Sequence, residues 1–335
     1  MHLGVSLGVS PRESLRDWMS FVGELEEAGA ERLWLIDSQL AMKDVYAGLV
    51  TAALATSKMV LGTGVTNVAT RHPTVTASSI AAVSELSGGR AVLGLGAGDS
   101  AVYALGKSPT KLDEMAAALT FFRVVLAGGS GEWEGREFRL SQQLPPVQIF
   151  LAVSQRRMCR LAGRLADGAV VMGPAQADLV AQQVRWIEEG LAEAGRQRSE
   201  IEVCGVAPVS PTGTSGTSGG ADVRAWAVGQ ARLLAEVADL PEELEAHRSE
   251  LVLARERYGF GEHLSTRAEH RSLLSEELLA MLAIVGPTQE CARRLGELRA
   301  AGVDSFIFPL TGRGRVQQLR LLAEEIVPRL TEAPA

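Results

Sequence analysis

Short apolar runs alternate with longer segments of helical period along the chain, which predicts repeated β-α units and a mostly parallel sheet. Eight runs have the length and composition of strands, and they span Leu3 to Val9, Arg32 to Ile36, Met59 to Val65, Ala91 to Leu95, Ile149 to Val153, Ala169 to Met172, Ile201 to Val206 and Ser305 to Pro309. Eight parallel strands with intervening helices favour a closed (β/α)8 TIM barrel over an open, doubly wound sheet. In such barrels the functional residues lie on the loops that follow the strands.

Helices are indicated between the strands by apolar residues at helical spacing. Leu15, Trp18 and Val22 share one predicted helix face, and these residues are expected to pack in the core. The third β-α unit has both a start and a stop signal, because Pro73 suits a first helical turn and Gly88-Gly89 ends the helix.

Two insertions are predicted within the single barrel domain, residues 1–335. Residues 129–147 contain a run that alternates around Gly135, which predicts a small hairpin. Residues 208–272 begin with a stretch rich in serine, threonine and glycine and continue into a polar helical region, from Val223 to about Arg271. We expect this second insertion to cover the mouth of the barrel.

Composition and charge narrow the classes of partner. The 335 residues are 46% hydrophobic and carry a formal net charge of -7, so the chain has no basic field for nucleic acid or an anionic membrane. The three cysteines form no CxxC pair, and the sequence enters a strand at once without a signal-peptide pattern. These features predict a cytoplasmic protein with a small-molecule substrate, no disulfide and no metal site.

A glycine-rich segment follows the fourth predicted strand, Gly94-Leu95-Gly96-Ala97-Gly98-Asp99-Ser100. A dinucleotide fingerprint requires a third glycine where this chain has Asp99, and Pro109 delays the next helix, so the Rossmann interpretation fails. What remains is a glycine-lined floor where a flat ring or a phosphate could approach the backbone, with an acid beside it. The alternative is a tight turn with a capping aspartate.

Two further strand ends carry candidate site residues. Gly62 and Gly64 weaken the third strand, which indicates a bulge or a close approach of the backbone to a ligand. His72, just before Pro73, is better explained by local hydrogen bonding than by catalysis. Asp37 ends the second strand and could either face the site or pair with an arginine or lysine of a neighbouring strand.

Several catalytic motifs are absent, including HExxH, G-x-S-x-G and the phosphate-binding loop G-x-x-x-x-G-K-[ST]. A site that is rich in glycine and poor in nucleophiles is typical of redox catalysis in which a bound cofactor supplies the chemistry. The interval from Gly62 to Ser100 resembles the luciferase-like flavin and deazaflavin superfamily, and within it the F420-dependent methylenetetrahydromethanopterin reductase-like branch. The resemblance extends more loosely from the first strand to the last helix.

The resemblance implies a (β/α)8 barrel, a homodimer, and coenzyme F420 or alternatively FMN in the barrel mouth. It makes Asp99 the active-site acid and Gln176 a substrate-side amide, and Asp37 and Ser38 at the end of the second strand are expected to position the substrate with them. Together with the residues that follow the strands, it gives the predicted cofactor-binding residues: Ser6, Gly64, Val65, Thr66, Asn67, Gly96, Ala97, Gly98, Ser100, Ala152, Ser154, Gly173 and Pro174. It also implies a cis peptide bond between Gly64 and Val65.

The chain departs from the family pattern on the substrate side. Ser6 stands where the pterin reductases resemble one another in a glutamate, Ser38 where many members have histidine, and Gln155-Arg156-Arg157-Met158 where Gly-Pro-Arg-Met is usual. The leading hypothesis is an F420-dependent reductase or dehydrogenase that acts on a C=N, C=C or C=O group. The alternatives are an FMN-dependent monooxygenase, which would consume oxygen, and a non-catalytic cofactor-binding barrel, which would be expected to lack the acids Asp37 and Asp99.

Overall fold

Strands and helices alternate through the computed structural model, which describes residues 1–142, 145–172, 175–212, 223–259, 273–312 and 314–331. The elements up to the first insertion are β1 (Leu3–Leu7), α1 (Leu15–Glu27), β2 (Arg32–Leu35), α2 (Val45–Ala55), β3 (Val60–Thr63), α3 (Pro73–Ser87), β4 (Ala91–Leu95), α4 (Ser100–Tyr103), α5 (Leu112–Leu126), β5 (Gly131–Trp133) and β6 (Arg136–Phe138). The next elements are β7 (Gln148–Val153), α6 (Arg156–Leu165), β8 (Gly168–Val171), α7 (Ala177–Glu193), a 3-10 turn (Arg198–Glu200), β9 (Glu202–Val206) and β10 (Val209–Pro211). The last are α8 (Val223–Leu234), α9 (Glu242–Glu245), α10 (Arg248–Glu256), α11 (Glu276–Leu282), β11 (Ile284–Gly286), α12 (Thr288–Ala300), β12 (Ser305–Pro309), α13 (Arg315–Leu321), a π-helical turn (Leu322–Ile326) and α14 (Val327–Thr331).

Eight of these strands close into a parallel barrel in the order β1, β12, β9, β8, β7, β4, β3, β2. Each neighbouring pair runs parallel, including the closing pair β1 and β2. These are the eight predicted strands, so the predicted (β/α)8 barrel is confirmed. Because all eight run in one direction, their carboxyl ends meet at one mouth of the barrel.

The barrel interior is filled around Trp34 of β2, which is 2% exposed. Glycines on the adjacent strands make room for it: a β-carbon at Gly4 would lie 3.1 Å from the indole Nε1, and one at Gly62 would lie 3.1 Å from Cε3. Phe150 of β7 packs edge-on against Trp34, with 5.2 Å between the ring centroids. Glycine and tryptophan on neighbouring strands therefore complement each other inside the barrel.

The helices pack on the outside of the barrel through their apolar faces. Trp18 and Val22 of α1 are fully buried, as their spacing predicts. Helix α3 begins with Pro73 in its first turn, and His72 Nδ1 accepts a hydrogen bond from the backbone N–H of Thr74. The helix ends at Gly88, which has a left-handed φ of 68° that suits a residue without a side chain.

The first insertion contains an antiparallel pair, β5 and β6, in which Trp133 lies opposite Arg136. The two connecting residues, Glu134 and Gly135, have φ of 51° and 72°, as expected for the turn of a two-residue hairpin. Trp133 is buried and its ring contacts Phe121 of α5, with 6.0 Å between the centroids, so the hairpin is held against the barrel.

The second insertion differs from the polar helical region that its composition predicts. Its first described residues form β10, which pairs in parallel with β11. Helix α8 is buried over most of its length, and with α10 and α11 it builds a small separate apolar core around Val228, Leu251 and Leu278. In the portion of the chain that the structure describes, no helix has the length and apolar character needed to cross a membrane.

Candidate active site

The mouth of the barrel opens into a cavity of about 240 Å³ at the carboxyl ends of the strands. Thirteen of the residues predicted for the site line this cavity: Ser6, Asp37, Gly64, Val65, Thr66, Asn67, Gly96, Ala97, Gly98, Asp99, Ser100, Ala152 and Ser154. They come from five different strands or the loops that follow them, so the fold gathers residues that are up to 148 positions apart, from Ser6 to Ser154.

One wall of the cavity comes from α8, which belongs to the insertion expected to cover the barrel mouth, although the sequence did not single out any of its residues for the site. Trp226, Gly229, Gln230 and Leu233 of this helix line the cavity. Their spacing of three and four residues places them on one face of the helix. The same spacing is visible in the sequence, but it is equally typical of a core helix, so it did not distinguish a cavity wall from packing.

A bulge after β3 forms another wall of the cavity, and the peptide bond between Gly64 and Val65 is cis, as the family resemblance implies. Beyond it, the backbone N–H of Thr66 donates to Gly94 O at 2.9 Å, and that of Gly96 donates to Thr66 O at 2.8 Å. These bonds join the bulge to β4 and its loop. The bulge and the glycine-rich loop therefore form one continuous surface.

The glycines beside this bulge serve packing between protein segments. A β-carbon at Gly96 would lie 2.7 Å from Cγ2 of Val65, and one at Gly64 would lie 2.7 Å from Cβ of Trp34. The sequence pattern suggested either a bulge or a close approach by a ligand at Gly64, and a close approach by a flat ring or a phosphate at Gly96. The distances give a different reason, since the missing side chains make space for Val65 and Trp34.

At Gly98, too, the structure shows packing against a protein side chain where the sequence suggested room for a ligand. Its φ of 96° is unfavourable for any residue with a side chain, and a β-carbon there would lie 2.3 Å from Cγ2 of Val102. If Gly98 only made room for a cofactor, a bulky residue there would block the cofactor and leave the fold intact. In the structure it would instead collide with Val102 of α4 and displace the loop that carries Asp99.

We therefore predict that Gly98→Ala lowers the free energy of unfolding by about 2 to 3 kcal/mol, from backbone strain and overpacking together. Gly128→Ala is the matched control, since Gly128 has a similar φ of 85° and no atom lies within 4 Å of the place that a β-carbon would take. The control should lose only about 1 kcal/mol. Denaturant unfolding of both variants measures the difference, and equal losses would contradict a steric role for Val102.

Asp99 is the predicted acid, and its partner is Arg232 of α8. The Arg232 guanidinium forms an ion pair with Asp99 Oδ2. The Arg232 side chain is 7% exposed and its guanidinium lies 4.6 Å from the ring centroid of Tyr258, whereas the Asp99 side chain is 33% exposed. Asp99 Oδ1 is buried and has no hydrogen-bond partner among the described residues.

This arrangement does not support the alternative in which Asp99 only caps a turn. Asp99 precedes α4, but its side chain makes no capping hydrogen bond to that helix. One carboxylate oxygen is fixed by Arg232, and Asp99 lies in the lining of the cavity. Asp99 is thus oriented by a residue that is 133 positions away in the sequence.

Asp37 also has a cationic partner, Arg71, which lies in the loop between β3 and α3 and not on a neighbouring strand as one of the two interpretations of Asp37 proposed. Its side chain is 2% exposed, and Asp37 Oδ2 accepts from Arg71 at 2.5 Å and from Thr66 Oγ1 at 2.6 Å. Arg71 also donates to Asp44 Oδ2 at 2.8 Å. Burial acts to lower the pKa of Arg71, but the charges and hydrogen bonds of Asp37 and Asp44 outweigh burial and raise it. Arg71 is therefore a permanent cation.

Tyr46 lies beside this group, with the Arg71 guanidinium 5.3 Å from its ring centroid. Burial raises the pKa of the Tyr46 hydroxyl, and the nearby charge of Asp37 raises it further. Tyr46 consequently stays protonated. The network around Arg71 thus contains an arginine cation, a buried and an exposed aspartate, and a neutral tyrosine.

The remaining predicted residues are less directly placed at the cavity. Ser38 Oγ lies 3.0 Å from Ser100 Oγ and joins the loop after β2 to the start of α4. Gln176 is not among the cavity-lining residues, and its Oε1 accepts from the backbone N–H of Leu179 at 2.7 Å, which caps α7. Gly173 and Pro174 lie outside the described residues.

A closed (β/α)8 barrel with a partly apolar cavity at the carboxyl ends of its strands defines a class of small-molecule-binding barrel that is mostly enzymatic. The family model described as luciferase-like monooxygenase matches residues 1–305. The chain belongs to this luciferase-like family, as its sequence motifs predicted.

Individual relatives are oxidoreductases. The chain is similar to a 5,10-methylenetetrahydromethanopterin reductase of Methanolobus tindarius, with 28% identity over 314 residues that cover 90% of this chain and 93% of the relative. It is also similar to an F420-dependent glucose-6-phosphate dehydrogenase of Microbacterium testaceum, with 25% identity over 288 residues that cover 82% and 79%. These similarities agree with the predicted class of oxidoreductase.

Solved structures show the same fold. The coenzyme F420 dependent tetrahydromethanopterin reductase from Methanopyrus kandleri superposes with a TM-score of 0.78 at 22% sequence identity, covering 99% of this chain and 100% of that chain. An F420-dependent secondary alcohol dehydrogenase has a TM-score of 0.74 at 17% identity, covering 99% of this chain and 100% of that chain. At these identities the likeness establishes the barrel architecture.

Proposed function

We propose that the protein is a coenzyme F420-dependent oxidoreductase that transfers a hydride between C5 of the deazaflavin and a C=N, C=C or C=O group of a small molecule. The observation that supports this most is the cavity formed by the bulge at Gly64-Val65 and the loop from Gly96 to Ser100, with Asp99 at its edge. The similarity to F420-dependent enzymes supports the choice of cofactor.

The lining of the cavity fits a flat heterocycle. Val65, Ala152, Met172 and Ile307 offer apolar contacts suited to the faces of a ring, and Ser6, Thr66, Asn67 and Ser154 supply polar groups at its margins. Trp34 Nε1, Asp99 Oδ1 and Gln230 Oε1 belong to lining residues and are buried without hydrogen-bond partners among the described residues. Buried polar atoms of this kind are normally satisfied, so they indicate space for a polar ligand.

When bound, the deazaflavin would supply or accept the hydride at C5. In this proposal the residues from Gly64 to Asn67 support one side of the ring, and Asp99 gives a proton to the substrate heteroatom or takes one from it. Arg232 fixes Asp99 Oδ2, which leaves Oδ1 for that proton. Asp37 orients Thr66 and so acts on the shape of the bulge.

Purified protein titrated with F420 tests the proposal, with FMN as the comparison. We expect saturable quenching of F420 fluorescence, oxidation of the reduced form by an organic acceptor, and no oxygen consumption. Binding of FMN in preference to F420, together with oxygen uptake, would favour the monooxygenase interpretation. Binding of F420 without turnover on any acceptor would favour a carrier.

We also propose that the chain functions as a homodimer in the cytoplasm, with a small molecule as its substrate. The dimer is what the family resemblance implies. The cytoplasmic location is supported by Cys159, Cys204 and Cys291, which are free and buried thiols, as suits a reducing compartment.

A further inference from the structure

Gln230 has no role in the fold that the described structure reveals. The residue is 3% exposed and lies on the face of α8 that lines the cavity. Its Oε1 is buried without a partner, and no described residue bonds to either end of the amide. A buried amide that lacks partners destabilises the free protein, because its groups lose their hydrogen bonds to water.

The other buried glutamines near the mouth are engaged. Gln176 Oε1 accepts from the backbone N–H of Leu179 at 2.7 Å, and Gln183 Nε2 donates to Ser154 O at 3.3 Å, although Gln183 Oε1 also has no partner among the described residues. Gln230 therefore differs from both, since its amide is placed in the cavity lining without a structural bond. Such a group is typical of a site that forms its hydrogen bonds with a ligand.

The surroundings of Gln230 indicate the charge of that ligand. The charged lining residues Asp99 and Arg232 pair with each other, and Asp37 pairs with Arg71. Trp226 and Leu233, on the same face of α8 as Gln230, are apolar lining residues, as is Ile307 of β12. Among the described residues the cavity thus offers an apolar wall, a neutral amide and charges that already have partners.

Resting on the proposed F420-dependent reaction, we propose that Gln230 is a substrate-binding residue for an uncharged, mainly apolar molecule with a C=O or C=N group. Rotation of the amide about its last torsion angle brings its NH2 group to the unpartnered position of Oε1, where it donates to the oxygen or nitrogen of that group, and α8 contacts the apolar body. The C5–H bond of the reduced deazaflavin would break, and its hydride would form a new C–H bond at the reacting carbon. The π electrons would move to the heteroatom, which would take a proton from water by way of Asp99 Oδ1, while the deazaflavin would release its N–H proton to water, so the substrate would be reduced and the deazaflavin oxidised.

Gln230→Met tests this role, because methionine has a similar length and an apolar end that suits a buried position. Gln176→Met removes a capping amide, and Gln182→Met removes an amide outside the cavity that donates to Asp239 O at 2.9 Å. Three quantities are measured for each variant and for wild type. They are the melting temperature without ligands, the Kd for F420, and kcat/KM for reduction of cyclohexanone and 3,4-dihydroisoquinoline by reduced F420, with oxidation of glucose 6-phosphate by oxidised F420 as the charged comparison.

We expect Gln230→Met to melt within about 1 °C of wild type or above it, since no structural hydrogen bond is lost, whereas Gln176→Met melts lower. The F420 Kd of Gln230→Met should stay within about threefold of wild type, while kcat/KM for the uncharged substrates falls by about tenfold or more. Gln182→Met should match wild type in its F420 Kd and in its kcat/KM for the uncharged substrates.

Each contrary result is informative. A melting temperature of Gln230→Met that falls as far as that of Gln176→Met, or an unchanged kcat/KM, would overturn the substrate role of Gln230. Wild-type protein that binds F420 but reduces neither uncharged compound, or that prefers glucose 6-phosphate, would overturn the substrate class. Failure of wild type to bind F420 would contradict the proposed function itself, and the role of Gln230 would fall with it.

Discussion

Replacement of Asp99 by asparagine is expected to lower turnover by roughly a hundredfold or more, because the variant keeps the shape of the side chain but loses the group that carries a proton. The F420 Kd should change little, since the bulge and the apolar lining are untouched. The measurement is steady-state oxidation of reduced F420 with a saturating acceptor, beside a fluorescence titration of cofactor binding.

The ion pair with Arg232 requires a second variant in this experiment. Asp99→Asn leaves the guanidinium of Arg232, which is 7% exposed, without its carboxylate, and this alone should reduce stability. The double variant Asp99→Asn with Arg232→Met removes both charges and should regain most of that stability. If its turnover also recovers, Asp99 acts through structure, and the assignment of Asp99 as the proton-carrying acid is wrong.

Much of the barrel could be predicted from the sequence because its signals are local. The run from Ala91 to Leu95 is a strand with those same bounds, and Pro73 and Gly88 delimit α3 through backbone preferences of single residues. The apolar pattern predicts a third strand that reaches Val65, but β3 ends at Thr63, where the bulge begins. Glycine at positions 62 and 64 indicates that irregularity without fixing where the strand stops.

Long-range contacts of the site could not be predicted in the same way. Composition places Arg232 in a polar helical region, but α8 is buried and its arginine reaches Asp99 across 133 residues of sequence. Composition predicts an exposed position for Arg232, but its side chain is buried. Its positive charge is compensated there by the carboxylate of Asp99 and by the ring of Tyr258, neither of which is near Arg232 in the sequence.

The glycines illustrate a second limit. The sequence shows that positions 64, 96 and 98 matter, but it cannot say what occupies the space of a missing side chain. The structure assigns that space to Trp34, Val65 and Val102. Packing partners of this kind depend on which strands become neighbours and on the twist between them.

Replacement of Asp37 by asparagine is expected to lower the free energy of unfolding by about 3 kcal/mol, because it leaves Arg71 mostly buried without its closest partner. Asp37 is 2% exposed and Arg71 is 18% exposed, so water can replace the lost interaction only in part. Because Asp44 remains as a second partner of Arg71, the expected loss in the free energy of unfolding is at the lower end of the range for a broken buried ion pair. The melting temperature should fall by roughly 4 °C for a chain of this length.

Asp44→Asn is the matched control, since it removes the other carboxylate that contacts Arg71. The Asp44 side chain is 52% exposed and caps α2 by accepting from the backbone N–H groups of Tyr46 and Ala47. Asparagine preserves such a cap, so this variant should lose less than about 1 kcal/mol in the free energy of unfolding.

Thermal unfolding followed by circular dichroism compares Asp37→Asn with Asp44→Asn. The double variant Asp37→Asn with Arg71→Met should be more stable than Asp37→Asn alone. Equal losses for Asp37→Asn and Asp44→Asn would show that burial of the Asp37–Arg71 pair adds no stability, which would contradict a structural role for Asp37.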